Sequence, residues 1–269
     1  MDQNYETIRV EHGDEVSTIS LSRPDRLNTL TPEMFAELAD CFEALQAAQQ
    51  QRVVVLRGEG KAFCAGADLQ SAAFVPPGPG RAQRAMAMQQ AASKVITSMR
   101  ACPQPIIALL KGPVCGGGFS ISLAADVRLA SADTRMNVAN LKVGLGGPDM
   151  GSGYFLPRLI GLSAASAMMF TGDFIDARRA YELSLVSEVV DNGEALEDAG
   201  RSWAQRMLSA SPMGLRQTKR NLNELVDCNG LSAALALEDL QQTVLLETAD
   251  HREALNAFLE KRKPEYRNE

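Results

Sequence analysis

Histidine is nearly missing from this chain: His12 and His251 are the only two in 269 residues. A metal centre built on imidazoles, or a nucleophile activated by a histidine, is therefore not expected. Cysteine is sparse as well. Cys41, Cys64, Cys102, Cys115 and Cys228 contain no C-x-x-C spacing, and an odd count at these spacings fits free thiols in a reducing cytoplasm. No apolar run approaches the roughly 20 residues that span a bilayer. Residues 1–6 have neither a basic start nor an apolar stretch, so neither a span nor a signal peptide is expected. Basic residues are outnumbered, 27 to 33, for a formal charge of −6, which argues against a general nucleic-acid binder. Internal repeats are lacking too. Gly116–Gly118 does not complete G-x-G-x-x-G, because Ile121 holds the last glycine place, and Gly146–Gly151 lacks the Lys-Ser/Thr of a phosphate-binding loop. What remains is a globular composition, 45% hydrophobic and 22% charged, long enough for a large core.

The pattern along the chain is mixed α/β. Residues 7–11 and 16–21 alternate around Gly13-Asp14, which predicts a hairpin. Arg23 to Asn28 is a turn-rich connection. Thr31-Pro32 predicts a capped helix start, with Phe35, Leu38, Phe42 and Leu45 on one face. Val53–Arg57 and 106–110 read as buried strands, Val127–Ala130 as another, and 185–190 as the last. Residues 75–80, Val-Pro-Pro-Gly-Pro-Gly, predict an exposed loop, and 81–100 a helix with Met86 and Met88 as apolar filler. Residues 137–153 read as irregular, followed by short helices at 154–160, 163–171 and 176–183. Beyond 194 four helices are expected, which divides the chain into a core, 1–195, and a helical C-terminal subdomain, 196–269.

Two stretches stand out as candidates for chemistry. Pro105 to Asp126 runs from a strand through Gly112-Pro113 and Gly116-Gly-Gly118 into an apolar helix at Phe119–Ala125. Free N–H groups at a helix start, approached past glycines, can hold an anion or oxyanion; the same glycines can instead permit close packing. Phe63-Cys-Ala-Gly-Ala-Asp68 also places small residues at a turning point. There, too, either a ligand approaches the backbone or the chain simply turns tightly.

Taken together these stretches resemble the enoyl-CoA hydratase/isomerase (crotonase) superfamily across essentially the whole chain. Arg23-Pro-x-x-x-Asn28 is similar to its entry loop, and Phe63 to Leu69 to its first oxyanion segment. Gly112 to Asp126 is similar to its second, residues 139–161 to its catalytic loop and following helix, and residues 257–262 to its C-terminal end. The resemblance implies an α/β spiral of repeated β-β-α units with a C-terminal helical trimerisation region. It implies an acyl-CoA thioester substrate, with coenzyme A arriving as part of it and no separate cofactor or metal. It also implies a homotrimer or dimer of trimers, with no nucleic-acid or membrane partner. By that match the N–H groups of Ala67 and Gly117 form the oxyanion hole, two donors aimed at charge that develops on the thioester oxygen. Arg26, Leu27, Ala65, Asp68, Leu69, Phe258 and Lys261 fall where the family binds CoA. Arg23, Lys61, Arg262 and Lys263 are nearby cations that read equally as solvated surface charge.

One departure matters. Family hydratases usually carry two glutamates about the double bond, doing general acid/base work. The matching positions here are Ser120 and Asn140, which can orient substrate or water but cannot shuttle a proton. Asp149, in Gly-Gly-Pro-Asp-Met-Gly, is the carboxylate left in the region. In relatives with dienoyl-CoA isomerase or aromatic acyl-CoA dehalogenase activity an aspartate in this loop is base or nucleophile. Burial beside an acyl chain would raise its pKa toward that task; the alternative is an ordinary turn or N-cap before the next helix. Cys64 and Cys115 flank the oxyanion segments without a base to activate them. The expected function is a double-bond isomerisation or other enolate reaction on an acyl-CoA. The alternatives are a non-catalytic acyl-CoA binder, or a hydrolase or dehalogenase using Asp149 as nucleophile.

Overall fold

A computed structural model describes residues 5–70 and 78–269; of the loop expected at 75–80, residues 75–77 lie outside the described residues. Strands β1 (Ile8–His12) and β2 (Val16–Leu21) form the antiparallel hairpin, with Ile8 opposite Leu21. Helix α1 (Pro32–Ala47) starts where Thr31 Oγ1 accepts from the Met34 N–H at 3.2 Å. Then come β3 (Val53–Gly58), α2 (Arg81–Ala101), β4 (Ile106–Leu110), β5 (Pro113–Cys115), α3 (Gly117–Ala124), β6 (Val127–Ser131) and β7 (Arg135–Asn137). A 3-10 turn at Ala139–Val143 leads to α4 (Ser152–Ile160), α5 (Leu162–Thr171), β8 (Ile175–Asp176), α6 (Ala177–Glu182) and β9 (Glu188–Val190). Helices α7 (Gly193–Leu208), α8 (Pro212–Leu225), α9 (Leu231–Leu246) and α10 (Ala249–Glu260) complete the chain. None of the described helices is long and apolar enough to cross a membrane.

The main sheet runs β1-β2-β3-β4-β6-β9, parallel everywhere except between β1 and β2. Its central strands are buried on both faces, which is why they read as unbroken apolar runs. Val54, Leu56, Ile106, Ala108 and Leu110 face the larger core with α1, α2 and α3. Val53, Val55, Ile107 and Leu109 face the other way, onto Leu196, Ala199 and Ala204 of α7. Thus α7 closes the second face of the sheet. Helix α9, by contrast, has no buried residue.

A second sheet, β5-β7-β8, carries the site. Isolated bridges extend it through Cys64 beside Val114 and then through Leu30 beside Ala67. Its strands, two or three residues long, are too short for a period to show, so Gly112-Pro113 reads as a break and 137–153 as irregular. The structure instead places β5 after that break, and a β7 end and a 3-10 turn inside that stretch. Two smaller expectations also change. The last strand starts at Glu188, with Leu185 and Val186 buried ahead of it. Met86 projects into solvent, so of the two methionines only Met88 packs on the core.

Candidate active site

Leu30 organises the first half of the site. Its N–H donates to Gly66 O at 2.8 Å, and its carbonyl accepts from the Asp68 N–H at 3.0 Å. In such a parallel bridge the partner residue turns its own amide away, so the Ala67 N–H faces away from Leu30 and has no acceptor among the described residues. Gly117 opens α3 and has no acceptor one turn back, leaving its N–H free in the same sense. The two amides share a wall. A Cβ on Gly117 would lie 2.7 Å from Leu30 Cδ1 and 3.2 Å from Met150 Sδ, so only hydrogen lets Leu30 brace both segments.

The glycine triplet turns the chain into α3 and permits close packing. Gly116 turns the chain into α3 with φ +49° and ψ −120°, a conformation essentially confined to glycine. Gly118 is a packing glycine: a Cβ there would fall 2.6 Å from Cys64 Cβ and 2.7 Å from Cys64 O. Backbone atoms cannot step aside as a side chain can. Gly118→Ala is therefore expected to destabilise the protein by about 1–3 kcal/mol, read as a lowered midpoint in thermal or urea unfolding. Burial pushes the Cys64 thiol up to about 12 and the Cys115 thiol up to about 11, so neither is a thiolate nucleophile near neutral pH.

Asp149 is held from three helices. The Ser120 hydroxyl, on α3, donates to Asp149 O at 2.9 Å, with Gly116 O a second acceptor at 3.3 Å. The Asp149 N–H donates to Ser152 Oγ at 3.0 Å, and the Ser152 N–H returns to Asp149 O at 2.9 Å. Gln89 Nε2, on α2, donates to Asp149 Oδ1. Met150, next along, is pinned in the left-handed region at φ +46°, a conformation costing roughly 1–2 kcal/mol, and its sulfur lies over Gly117. Two expectations are corrected here. Asp149 is half-buried rather than enclosed, and its carboxylate does not cap α4, whose N-cap is Gly151 with no side-chain bond. Ser120, 1% exposed with its proton directed at two carbonyls, positions the Asp149 loop rather than a water. The Asn140 side chain sits over Gly116, its Oδ1 3.1 Å from where a Cβ would be.

The residues expected at coenzyme A divide. Arg26, Leu27, Ala65, Asp68 and Leu69 come together where the entry loop meets the first oxyanion segment, joined by the Ala65 N–H donating to Leu27 O at 3.0 Å. Asp68 is the knot: Arg23 Nη2 lies 3.0 Å and Arg26 Nη2 3.3 Å from its carboxylate. The bond from Arg23 holds the Asp68 carboxyl below the usual carboxylate range. Arg23 also donates to Thr29 O and Asn28 fixes the loop through Glu59 O and Ala62 O, each at 2.9 Å. Arg23 is thus spent inside the protein. Arg26 stays half exposed, and Lys61 is exposed. Phe258 (81% exposed) and Lys261 lie on and just after α10, and no hydrogen bond or ion pair among the described residues joins them to this group. Leu30 and Gln89 were not legible as site residues, because neither sits in a motif and both act through neighbours.

The chain is similar to known proteins along nearly its whole length. The enoyl-CoA hydratase/isomerase family model matches residues 11–269. The Mycobacterium tuberculosis protein named "Probable enoyl-CoA hydratase EchA12" is 37% identical over 261 residues, covering 96% of this chain and 91% of that one. The 1,2-epoxyphenylacetyl-CoA isomerase of Escherichia coli is 32% identical, covering 96% of each. An enoyl-CoA hydratase structure from Bacillus anthracis superposes with a TM-score of 0.90 at 32% identity, covering 98% of this chain and all of that one.

Proposed function

The chain belongs to the enoyl-CoA hydratase/isomerase family, whose members act on acyl-CoA thioesters, and from that premise we propose that it isomerises a double bond through an enolate, with Asp149 as its base. The observation that carries this reading is the hold on Asp149. The Asp149 backbone is fixed by Ser120 and Ser152 and its carboxylate is met by Gln89, in the loop beside Gly117, with Oδ2 lacking any partner among the described residues. The two positions where hydratases of the family carry glutamate offer no titratable group.

In the proposed cycle the thioester oxygen receives the Ala67 and Gly117 N–H groups. Asp149 takes a proton from the α-carbon, and the C–H electron pair moves into the carbonyl to give the enolate. The two amides stabilise that charge more than they stabilise the substrate, one such donor being worth roughly 3–4 kcal/mol. The carboxylic acid so formed, on a half-buried side chain, exchanges its proton with solvent, and Asp149 then delivers a proton to the γ-carbon, so the double bond shifts with no net gain or loss of atoms. Asn140, over Gly116, lines the approach to the carbonyl. Support for an isomerase comes also from the 1,2-epoxyphenylacetyl-CoA isomerase among the relatives.

Arg26 and Lys61 would meet the CoA phosphates at the junction with Leu27, Ala65 and Leu69. Leu231, Leu235, Leu240, Val244, Phe258 and Leu259 leave α9 and α10 with exposed apolar side chains, which supports assembly as a trimer or dimer of trimers through the C-terminal helices, 196–269. Five free cysteines suit the proposed cytoplasmic setting. The test is incubation with a panel of saturated, 2-enoyl, 3-enoyl and arylacetyl CoA esters in deuterated water, followed by mass spectrometry. Deuterium at the α- or γ-carbon with a shifted double bond is the expected result. Addition of water without a shift would establish a hydratase instead, and binding without any product would leave only an acyl-CoA binder.

A further inference from the structure

We infer that Gln89 is a positioning residue for the base: it occupies Oδ1 of Asp149, so that Oδ2 alone faces the carbon from which the proton is taken. The inference rests on the reading of Asp149 as base and deepens it.

A free carboxylate presents two equivalent oxygens and rotates about its last torsion, which is broad and roughly two-fold. The backbone of Asp149 is fixed on both sides by hydroxyls, Ser120 on its carbonyl and Ser152 on its N–H. Those bonds do not set the carboxylate plane. Gln89 does, from a different helix, by donating Nε2–H to Oδ1. The donor is neutral, so it orients the ion without forming a salt bridge that would suppress its basicity. It also remains satisfied in both halves of the cycle. When the proton arrives on Oδ2, Oδ1 is still a carbonyl-type acceptor for the same N–H.

Charged groups on the surrounding elements are directed elsewhere. On α2, Arg84 donates to the Gly78 and Pro79 carbonyls, Lys94 pairs with Glu43, and Arg100 with Asp126; Arg81 lies at the helix start, two turns before Gln89. Helix α3 carries no charge. Arg158 of α4 pairs with Asp227, and Lys142 of the 3-10 turn with Asp173. Among the described residues, Gln89 is the side chain that addresses the Asp149 carboxylate.

Removing a hydrogen bond to the ionised form favours protonation, and placing a second carboxylate there favours it further. Gln89→Leu and Gln89→Glu are therefore compared with the parent and with Asp149→Asn, using trans-3-hexenoyl-CoA and phenylacetyl-CoA as probes and deuterium incorporation as the readout. Gln89→Leu should keep KM within about twofold and lower kcat about ten- to a hundredfold, the size of a misaligned reacting group. The acid limb of its kcat/KM profile should move to higher pH. In Gln89→Glu that limb should move further, by about one pH unit, with rates recovering poorly even above it. Gln89 is exposed on α2, so thermal unfolding should change little and a folding defect is separable. If both Gln89 variants keep the parental acid limb and kcat while Asp149→Asn is inactive, the inference about Gln89 fails and the base assignment stands. If Asp149→Asn retains the parental rate, or the parent exchanges no deuterium with either probe, the base assignment fails and this inference with it.

Discussion

An Asp149→Asn protein should bind acyl-CoA close to the parental affinity and lose about 10²–10⁴ of its turnover, the usual contribution of a positioned acid/base group. The amide is nearly isosteric with the carboxylate. Its backbone would keep the bonds to Ser120 and Ser152, and an Oδ1 would still be there for Gln89. What disappears is an oxygen that can take a proton. The proposed oxyanion donors are the backbone amides of Ala67 and Gly117, which the substitution does not touch. Calorimetric titration with a non-reactive CoA ester, set beside single-turnover rates, separates the two effects. Turnover within tenfold of the parent would remove Asp149 from the chemistry. If labelled solvent oxygen instead accumulates in the Asp149 carboxylate, the residue is a nucleophile and the reaction a hydrolytic one.

The second large effect is on stability. Lys219, on α8 and 4% exposed, donates from its ammonium to Met99 O at 3.0 Å and Gln104 O at 2.9 Å and forms an ion pair with Asp126 Oδ2 at 3.0 Å. Lys219→Met fills much of the space and leaves all three short of a donor. Asp126 keeps Arg100 at 2.8 Å and the Ile106 N–H at 2.8 Å, so the loss should fall at the low end for a broken buried pair, about 3 kcal/mol. For a chain of this size that lowers Tm by roughly 6–12 °C, measured at one fixed protein concentration because assembly contributes. A change below about 2 °C would mean that α8 is held by its apolar face alone.

The large elements were legible because their causes are local. Thr31-Pro32 starts α1, Asp176 accepts from the Arg179 N–H at 2.7 Å to start α6, and doubly buried strands advertise themselves as apolar runs. The two candidate oxyanion segments were legible as small residues at two turning points. The second sheet was not, since Pro113–Cys115 and Arg135–Asn137 owe their pairing to each other across some twenty residues rather than to any pattern of their own. The same holds for the hold on Asp149. Its candidacy followed from the absence of the two glutamates, but Gln89 lies 60 positions away and Ser120 29. Spatial adjacency of that kind leaves no trace in spacing. Arg23 shows the converse: a cation beside a ligand segment looks free in sequence until Asp68 and Thr29 are seen to hold it.

Helix α2 joins the Asp149 carboxylate to the C-terminal helices. Gln89, two turns into the helix, meets the Asp149 carboxylate, while the carbonyls of Met99 and Arg100 at its end accept from Lys219 and Asn223 of α8. Eleven residues of α-helix separate these points, about 16 Å of a rod that resists stretching far more than it resists translation. The side chain that meets the Asp149 carboxylate and the carbonyls that anchor α8 therefore belong to one stiff element.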